Sequence, residues 1–212
     1  QIREVESKEF AFIGHHSHTH NYLIDETNDQ FIVDIEKANE IFIKELGYIP
    51  SSFSYPFGEY SKFMRDYISK NFEFAFGQHS GVIDETKDLW ELPRFPINEK
   101  YGELNRFKTL MKTLPFKYEK IVPEDKYLLK SDNPPKVKIF FKKGINNLEK
   151  INCFSNEGNK WRNSKISFAK KDTLEININE KFVGERGRIN CSLKENSGFW
   201  RWLGIQFVIA NK

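Results

Sequence analysis

The sequence contains little cysteine and methionine and no long hydrophobic run. Only two cysteines, Cys153 and Cys191, and two methionines occur among the 212 residues. The cysteines lie far apart and in no Cys-x-x-Cys pair, which argues against a cysteine-based metal site. Either a disulfide, suited to an oxidising compartment, or two small buried side chains would account for them. Because no stretch of about 18 apolar residues occurs, no membrane-spanning helix is expected.

An excess of charge of one sign is also lacking. The chain has 33 Lys and Arg against 30 Asp and Glu, a formal net charge of +3. No Lys/Arg run resembles a nucleic-acid-binding patch, so we expect no nucleic-acid partner. Aromatic residues are by contrast abundant, at 15% with 20 Phe, so the chain can build a sizeable core. Neither composition nor pattern specifies an oligomeric state.

The first half of the chain alternates strand and helix patterns. An apolar segment at 10–14 ends at a glycine, and apolar residues at helical spacing run from about Asp29 to Leu46. Thr27 and Gln30 form a capping-box pattern before this helix. Further strands are predicted at 51–57, 72–77 and 92–97, and further helices at 61–70 and 102–114. The alternation favours an α/β fold with parallel strands, in which functional residues gather at the carboxyl ends of the strands.

The pattern changes after residue 115. Residues 116–136 are rich in Lys, Pro and Asp and are predicted to form a linker. From 137 to 212, short alternating runs are separated by Gly, Asn and Lys turns, which is typical of a small antiparallel β-sandwich. We therefore expect three parts: an α/β domain at 1–115, the linker, and an all-β accessory domain.

Four of the five histidines lie close together, in the segment Gly-His-His-Ser-His-Thr-His that begins at Gly14. Imidazole is a common ligand of divalent metals near neutral pH. Three interpretations are open: a histidine-rich surface loop, a His-x-His-x-His site that holds two or three ions, or a ligand pair formed by His16 and His20. The multi-ion site needs several more histidines, and only His79 remains.

The pair interpretation is supported by a family resemblance. The pattern His-Ser-x-x-His from His16 to His20 resembles the second motif of the NodB-homology polysaccharide deacetylases. The segment Phe-Ser-Tyr-Pro-Phe-Gly at 53–58 resembles their third motif. Leu-Pro-Arg at 92–94 resembles a later segment of members that act on poly-N-acetylglucosamine. The three segments occur in the family's order, and the resemblance covers about residues 5–115.

The resemblance implies a distorted, partial (β/α) barrel and metal-dependent N-deacetylation of an exported, acetylated amino-sugar polysaccharide. It also implies an extracellular, periplasmic or cell-envelope location and a divalent ion, with zinc expected. The metal ligands would be His16 and His20, and the main-chain N–H of Phe57 would face the oxyanion. Tyr55 and Trp90 are the candidate substrate contacts, with core packing as the alternative for Trp90.

The sequence departs from the family at three points. Ser54 stands where the third motif has an arginine, a charge that Arg94 is predicted to supply. The late Leu-x-His motif is absent, so His79 is the candidate general acid, with a polar loop residue as the alternative. The family's Asp-Asp pair, which provides the general base and the third metal ligand, is absent from the 212 residues. In the family this pair lies upstream of the histidines, so the resemblance implies a fragment whose Asp-Asp pair precedes Gln1.

Because the Asp-Asp pair is absent, three functional hypotheses remain open. The first is a polysaccharide deacetylase whose activity in the chain as written is weak or lost, since Asp25 and Asp84 are poor substitutes for the pair. The second is a degenerate deacetylase domain that binds glycan without turnover. The third is a different metallohydrolase that uses the His-x-His-x-His run.

Tryptophan is concentrated in the β-rich part of the chain, at Trp161, Trp200 and Trp202. Alternation along a strand places Trp200 and Trp202 on one face. Aromatic faces can stack on sugar rings, so a glycan-binding module is one interpretation. The other is a sandwich core with an amphipathic aromatic edge.

Overall fold

The structure is a computed structural model that describes residues 1–210. The chain divides into two compact units. The first comprises Gln1–Gly77 and Asp88–Leu92, and the second comprises Gln78–Lys87 and the chain from Pro93 onward. Within residues 1–210, no helix combines the length and the apolarity needed to cross a membrane.

Three α-helices belong to the first unit: α1 (Ile2–Glu6), α2 (Asn28–Leu46) and α3 (Lys62–Ile68). Helix α2 begins with the predicted capping box. The Thr27 side chain accepts the Gln30 N–H, and the Gln30 side chain accepts the Thr27 N–H. The helix ends at Gly47, whose φ of 84° lies in the left-handed region that glycine adopts without a side-chain clash. Its buried face carries Phe31, Asp34, Ile35 and Ala38.

The strands of the first unit are short and parallel. Strand β1 (Ser52–Ser54) pairs with β2 (Phe74–Phe76) in parallel. Isolated parallel bridges extend this pairing on both sides, from His15 to Phe53 and from Phe76 to Leu92. Four chain segments therefore run side by side in one direction, as the predicted α/β pattern requires. The bridge at His15 brings the histidine segment next to β1.

The predicted strand at 10–14 is wrong. Phe10 and Phe12 are 84% and 94% exposed, and pairing in this segment begins only at His15. A strand needs a neighbour whose backbone groups are in reach, and β1 offers only three residues. Among residues 1–210 no closed barrel forms. The structure therefore shows helices with several sheets and a β-rich C-terminal part, and the distorted, partial NodB-type barrel stays a prediction.

The second unit contains helix α4 (Leu104–Leu110) and, within its described residues, ten strands. The strands are β3 (Leu114–Pro115), β4 (Tyr118–Val122), β5 (Tyr127–Leu128), β6 (Val137–Phe141), β7 (Asn152–Ser155), β8 (Arg162–Asn163), β9 (Lys165–Lys170), β10 (Thr173–Asn177), β11 (Arg186–Lys194) and β12 (Trp200–Ile209). An antiparallel sheet has the order β4-β6-β10-β9. A second sheet has the order β3-β12-β11-β7-β8, with β5 also paired to β12.

The two sheets of the second unit share one hydrophobic core. Ile139 and Leu174 enter it from the first sheet, and Ile189 and Phe207 enter it from the second; all four are fully buried. A disulfide joins Cys153 on β7 to Cys191 on β11, where the two residues are direct cross-strand partners. This settles the two alternatives that the sequence left open for the cysteines.

Two further segments differ from their predicted conformation. Residues 92–97 make a single bridge at Leu92, because Pro93 and Pro96 have no N–H to donate to a neighbouring strand. Residues 116–136, predicted as a linker, contain β4 and β5, each of which pairs with a longer strand. These two strands were not predicted, because the segment is rich in Lys, Pro and Asp.

Candidate metal centre

The loop that follows His15 brings two histidine side chains together. The ring centroids of His16 and His20 lie 4.8 Å apart, with the ring planes 70° from parallel. Both side chains are exposed. No ring contact joins His18 to either of them among the described residues, although all three lie within five positions of one another. The structure thus pairs the two histidines at the family spacing.

His16 is held in a single tautomer. Its Nδ1 lies 2.6 Å from the carbonyl oxygen of Ser54 at the end of β1. A carbonyl can only accept, so Nδ1 must carry the proton and donate it, which leaves the lone pair on Nε2. Metal-binding histidines commonly donate their second ring N–H to a carbonyl or carboxylate in this way, since the bond fixes the ring and raises ligand basicity. His16 is therefore preorganised to present Nε2 to an ion.

The loop is held by two side-chain acceptors. Ser17 Oγ accepts the N–H of His20 at 3.2 Å, so the hydroxyl between the two histidines braces the turn. The buried carboxylate of Asp34 on α2 accepts the N–H of His18 at 2.8 Å and the N–H of Thr19 at 3.1 Å. It also accepts the Thr19 hydroxyl at 2.6 Å. These bonds tie the loop to the longest helix of the first unit.

Left-handed backbone conformations of non-glycine residues are concentrated at this site. Ser17, His20 and Phe57 have φ values of 65°, 54° and 58°. The other non-glycine residues with positive φ in the described chain are asparagines, which tolerate that conformation better. Strained backbone of this kind is commonly kept at functional sites. Its occurrence in the histidine loop and in the turn at Phe57 favours a functional loop over a histidine-rich surface loop.

His15 differs from its neighbours in environment. It is fully buried, and its ring lies 5.1–5.3 Å from the rings of Phe42, Phe53 and Phe72. Its Nδ1 accepts the N–H of Ser17 at 3.2 Å, so the ring proton of the neutral form is on Nε2. Burial lowers the pKa of His15 to about 4, despite the opposing charge of Asp34. His15 is therefore a neutral core residue that supports the loop.

The turn that follows β1 lies beside the histidine pair. Residues Pro56–Gly58 form a 3₁₀ turn, and the Phe57 ring lies 4.8 Å from the His20 ring and 5.5 Å from the Tyr22 ring. The turn and the histidine loop come from separate sequence motifs, and they are in contact in the structure. This contact is what the resemblance requires of its second and third motifs. The role of the Phe57 N–H at an oxyanion stays a prediction.

The histidine pair fits a divalent ion in part. Two imidazoles on one loop, one of them oriented by a carbonyl, suit zinc or a similar ion. Across residues 1–210, however, no group of three or more His, Cys, Asp or Glu side chains is placed to share an ion. The described chain therefore offers two candidate protein ligands, and a tetrahedral site would need its remaining positions filled from other sources.

The two candidate substrate contacts lie in the first unit and have packing roles there. Tyr55 is fully buried, its hydroxyl donates to the Trp90 carbonyl at 2.9 Å, and burial raises the pKa of its phenol. Trp90 is partly buried, and its Nε1 donates to the Phe72 carbonyl at 2.9 Å. These bonds hold the 88–92 segment against the short sheet. Their role as substrate contacts stays a prediction.

Arg94 and His79 belong to the second unit, where they lie close together. The Arg94 N–H donates to the His79 carbonyl at 3.0 Å, and both residues line one cleft. Burial, together with the smaller effect of the positive charges of Lys126 and Lys87, lowers the pKa of His79 to about 4. The side chain is therefore neutral near pH 7. The predicted roles of His79 as general acid and of Arg94 as a substitute charge stay untested.

Asp84, considered above as a replacement base, and Asp88 both have local structural partners. Asp84 is almost fully buried, accepts the Thr86 N–H and hydroxyl at 2.7 and 2.6 Å, and pairs with Lys87 at 3.4 Å. Asp88 accepts the Trp90 N–H at 2.8 Å and pairs with Arg65 at 3.2 Å. Each carboxylate holds its own turn, which argues for structural roles.

Sequence reasoning missed Asp34 and Glu59. Asp34 is a charged residue inside the apolar stripe of α2, since Phe31, Ile35 and Ala38 share its buried face. That violation of the helical pattern was the available signal. Glu59 is buried directly after the Pro56–Gly58 turn, and it lines a small cavity beside Phe57. Nothing in its surroundings in the sequence marks Glu59 as buried.

Comparison with known proteins finds a family similarity in the first part of the chain. The family model described as "Polysaccharide deacetylase" matches residues 1–73, which include the histidine pair and the turn at Phe57. Comparison with curated protein sequences found no match.

The solved structures with partial likeness include CopC from Methylosinus trichosporium OB3b, with 16% identity, 45% of this chain and 93% of that chain covered, and a TM-score of 0.34. PcoC, a methionine-rich copper resistance protein from Escherichia coli, has 11% identity, coverage of 45% and 99%, and a TM-score of 0.32. Likeness at that level does not establish a shared fold. The family match is confined to residues 1–73, and it is this segment that is similar to the polysaccharide deacetylase family.

Proposed function

We propose that the chain takes part in metal-dependent N-deacetylation of an acetylated amino-sugar polysaccharide, outside the cytoplasm. The observation that carries this proposal is the facing pair of His16 and His20, 4.8 Å apart, inside the segment that matches the family. The bond from His16 Nδ1 to the Ser54 carbonyl leaves Nε2 as the ligand atom. A disulfide in the second unit suits an exported protein.

Each residue of the site has a definable task in that reaction. A divalent ion, when bound, supplies a Lewis acid for the acetyl carbonyl and lowers the pKa of water. His16 and His20 would hold that ion, and the bonds to the Ser17 hydroxyl and the Asp34 carboxylate fix the conformation of the loop that carries them. The main-chain N–H of Phe57 donates to the oxyanion of the tetrahedral intermediate.

The competing His-x-His-x-His metallohydrolase is disfavoured by the position of His18. Its N–H is bound to Asp34, and its ring makes no contact with the rings of His16 and His20 among the described residues. A site of that kind also needs further histidines from other strands. His79, the fifth histidine, lies in the second unit.

Glycan binding without turnover is the second candidate function. It is favoured by the observation that residues 1–210 place no third carboxylate or imidazole beside the pair. A deacetylase also needs a general base in reach of the attacking water, and loss of such a base costs roughly 10²–10⁴-fold in rate. An activity assay separates the two functions.

The assay measures acetate release from N-acetylglucosamine oligomers and poly-N-acetylglucosamine, with zinc or cobalt added. It compares this chain with a version extended at its N terminus, so that an Asp-Asp pair can be supplied. We expect slow or absent release by the chain as written and metal-dependent release by the extended version. Chelation, or the double change His16→Ala and His20→Ala, should abolish that release.

His18→Ala is the matched control, because it removes an imidazole from the same loop without touching the pair. It should retain most of the activity of the extended version. Release that survives both chelation and the double change would refute the metal-dependent mechanism. Glycan binding without acetate release from either version would establish the second candidate function.

A further inference from the structure

The second unit contains a cleft of about 360 Å³ with a strongly cationic lining. Arg94, Arg106 and Arg188 all line it, and no Asp or Glu is among its described lining residues. Three guanidinium groups in one concave surface raise the local positive potential, which favours an anionic ligand. The chain as a whole carries a net charge of only +3, so the cleft is a local concentration of charge.

Two of the three arginines, Arg106 and Arg188, are held in position by hydrogen bonds. Arg106 Nη1 donates to the carbonyls of Pro96 and Tyr101, at 2.9 and 2.5 Å. Arg188 Nε lies 3.3 Å from Gln206 Oε1. Arg94 is exposed and has no ion-pair partner within residues 1–210. Guanidinium groups bind carboxylates in a bidentate manner, and preorganised groups lose less entropy when they do so.

The other lining groups are uncharged. His79 is neutral near pH 7, because burial lowers its pKa to about 4. The amide side chains of Asn190 and Gln206 also line the cleft. Neutral donors and acceptors of this kind suit hydroxyl groups, so the cleft combines sites for carboxylate and for hydroxyl.

Aromatic surfaces adjoin the arginines. Trp161 lines the cleft and is 53% exposed. A neighbouring pocket, lined by Phe95, Trp200 and Trp202, shares Arg106 with the cleft. Trp202 Nε1 is buried there and has no hydrogen-bond partner within the described chain. Exposed indole faces provide apolar surface for the flat face of a sugar ring, with the N–H as a polar handle.

We propose that this cleft binds an acidic saccharide, a glycan segment that contains uronic acid. The guanidinium groups would take the carboxylates, the amides would take hydroxyls, and Trp161 would stack on a ring. The choice of a saccharide rests on the proposed function of the first unit, whereas the anionic character rests on the arginines alone. A single-stranded nucleic acid would also combine phosphate with stacking, but the chain has no basic run that would follow its backbone.

The test is a binding titration by calorimetry with tetragalacturonate, maltotetraose, inorganic phosphate and a thymidine oligonucleotide. The wild-type chain should bind tetragalacturonate at least about tenfold more tightly than the neutral maltotetraose, and the affinity should fall as salt is added. Arg188→Gln and Trp161→Ala should each weaken binding by about tenfold or more. Lys170→Gln, which removes one positive charge from an exposed position on β9, should leave it unchanged.

Equal affinity for both tetrasaccharides, or phosphate bound as tightly as tetragalacturonate, would overturn the proposal. Tighter binding of the oligonucleotide would overturn it as well. If a cleft variant fails to fold, amide shifts of Arg188 and Gln206 during titration of the wild-type protein serve instead, and shifts confined to other residues refute the site. Because no turnover is needed, binding retained in the His16→Ala, His20→Ala variant separates this proposal from the proposed function.

Discussion

His15 is the buried histidine of the loop, and its environment lowers its pKa. It lies between aromatic rings in the core of the first unit, with one ring nitrogen accepting the Ser17 N–H. Burial lowers its pKa from an ordinary 6.5 to about 4, so the folded chain binds the proton more weakly than the unfolded chain does. Acidification therefore favours the unfolded chain, beginning below about pH 6.5 and levelling off near pH 4.

The first unit should accordingly lose about 3 kcal/mol of stability through His15 between pH 7 and pH 4. The variant His15→Phe has no titrating group at this position, so it should lack that part of the pH dependence. Any change that the substitution makes to the free energy of unfolding should be the same at both pH values. Urea denaturation at pH 7 and pH 4.5 measures the difference. His18→Ala, at an exposed position, serves as the comparison and should keep the wild-type pH dependence. An unchanged dependence in His15→Phe would show that His15 does not titrate as described.

Among the elements, helix α2 positions the histidine loop. Asp34 projects from its buried face and accepts three hydrogen bonds from His18 and Thr19, which fixes the histidine loop. The helix itself is defined by local signals, namely the capping box at Thr27 and the glycine at 47. Helix α2, which the sequence predicts from local signals, therefore positions the histidine loop, whose conformation the sequence does not predict.

Asp34→Asn should weaken zinc binding by about tenfold, the lower end of the effect of losing an outer-shell partner, because Asp34 acts through His18 and Thr19 on the loop that carries both ligands. The amide keeps one acceptor oxygen, but its NH₂ group cannot accept a main-chain N–H. Zinc titration by calorimetry measures the change. Glu36→Gln removes the same charge from an exposed position on the same helix and should leave zinc affinity unaltered. Equal affinities for Asp34→Asn and the wild type would contradict the bracing role.

At the scale of the whole molecule, local patterns predicted more than long-range pairing did. The β-rich part was predicted to begin at residue 137, where strand β6 (Val137–Phe141) does begin, because alternation and flanking turns are local signals. The strand at 10–14 failed because a strand exists only where a partner lies beside it, and the partner is distant in sequence. β4 and β5 were missed for the same reason. The histidine pair was predicted from spacing, whereas Asp34 and the arginine cleft required the folded chain.

The most direct test of the central claim is zinc K-edge X-ray absorption of the zinc-loaded protein. The claim is that His16 and His20 together ligate one divalent ion. The wild-type spectrum should show about two imidazole nitrogens at roughly 2.0–2.1 Å from the zinc. The double variant His16→Ala, His20→Ala should lose that signal, and His18→Ala should keep it. Zinc with no imidazole ligand in the wild type, or an imidazole signal that disappears in His18→Ala and persists in the double variant, would contradict the account.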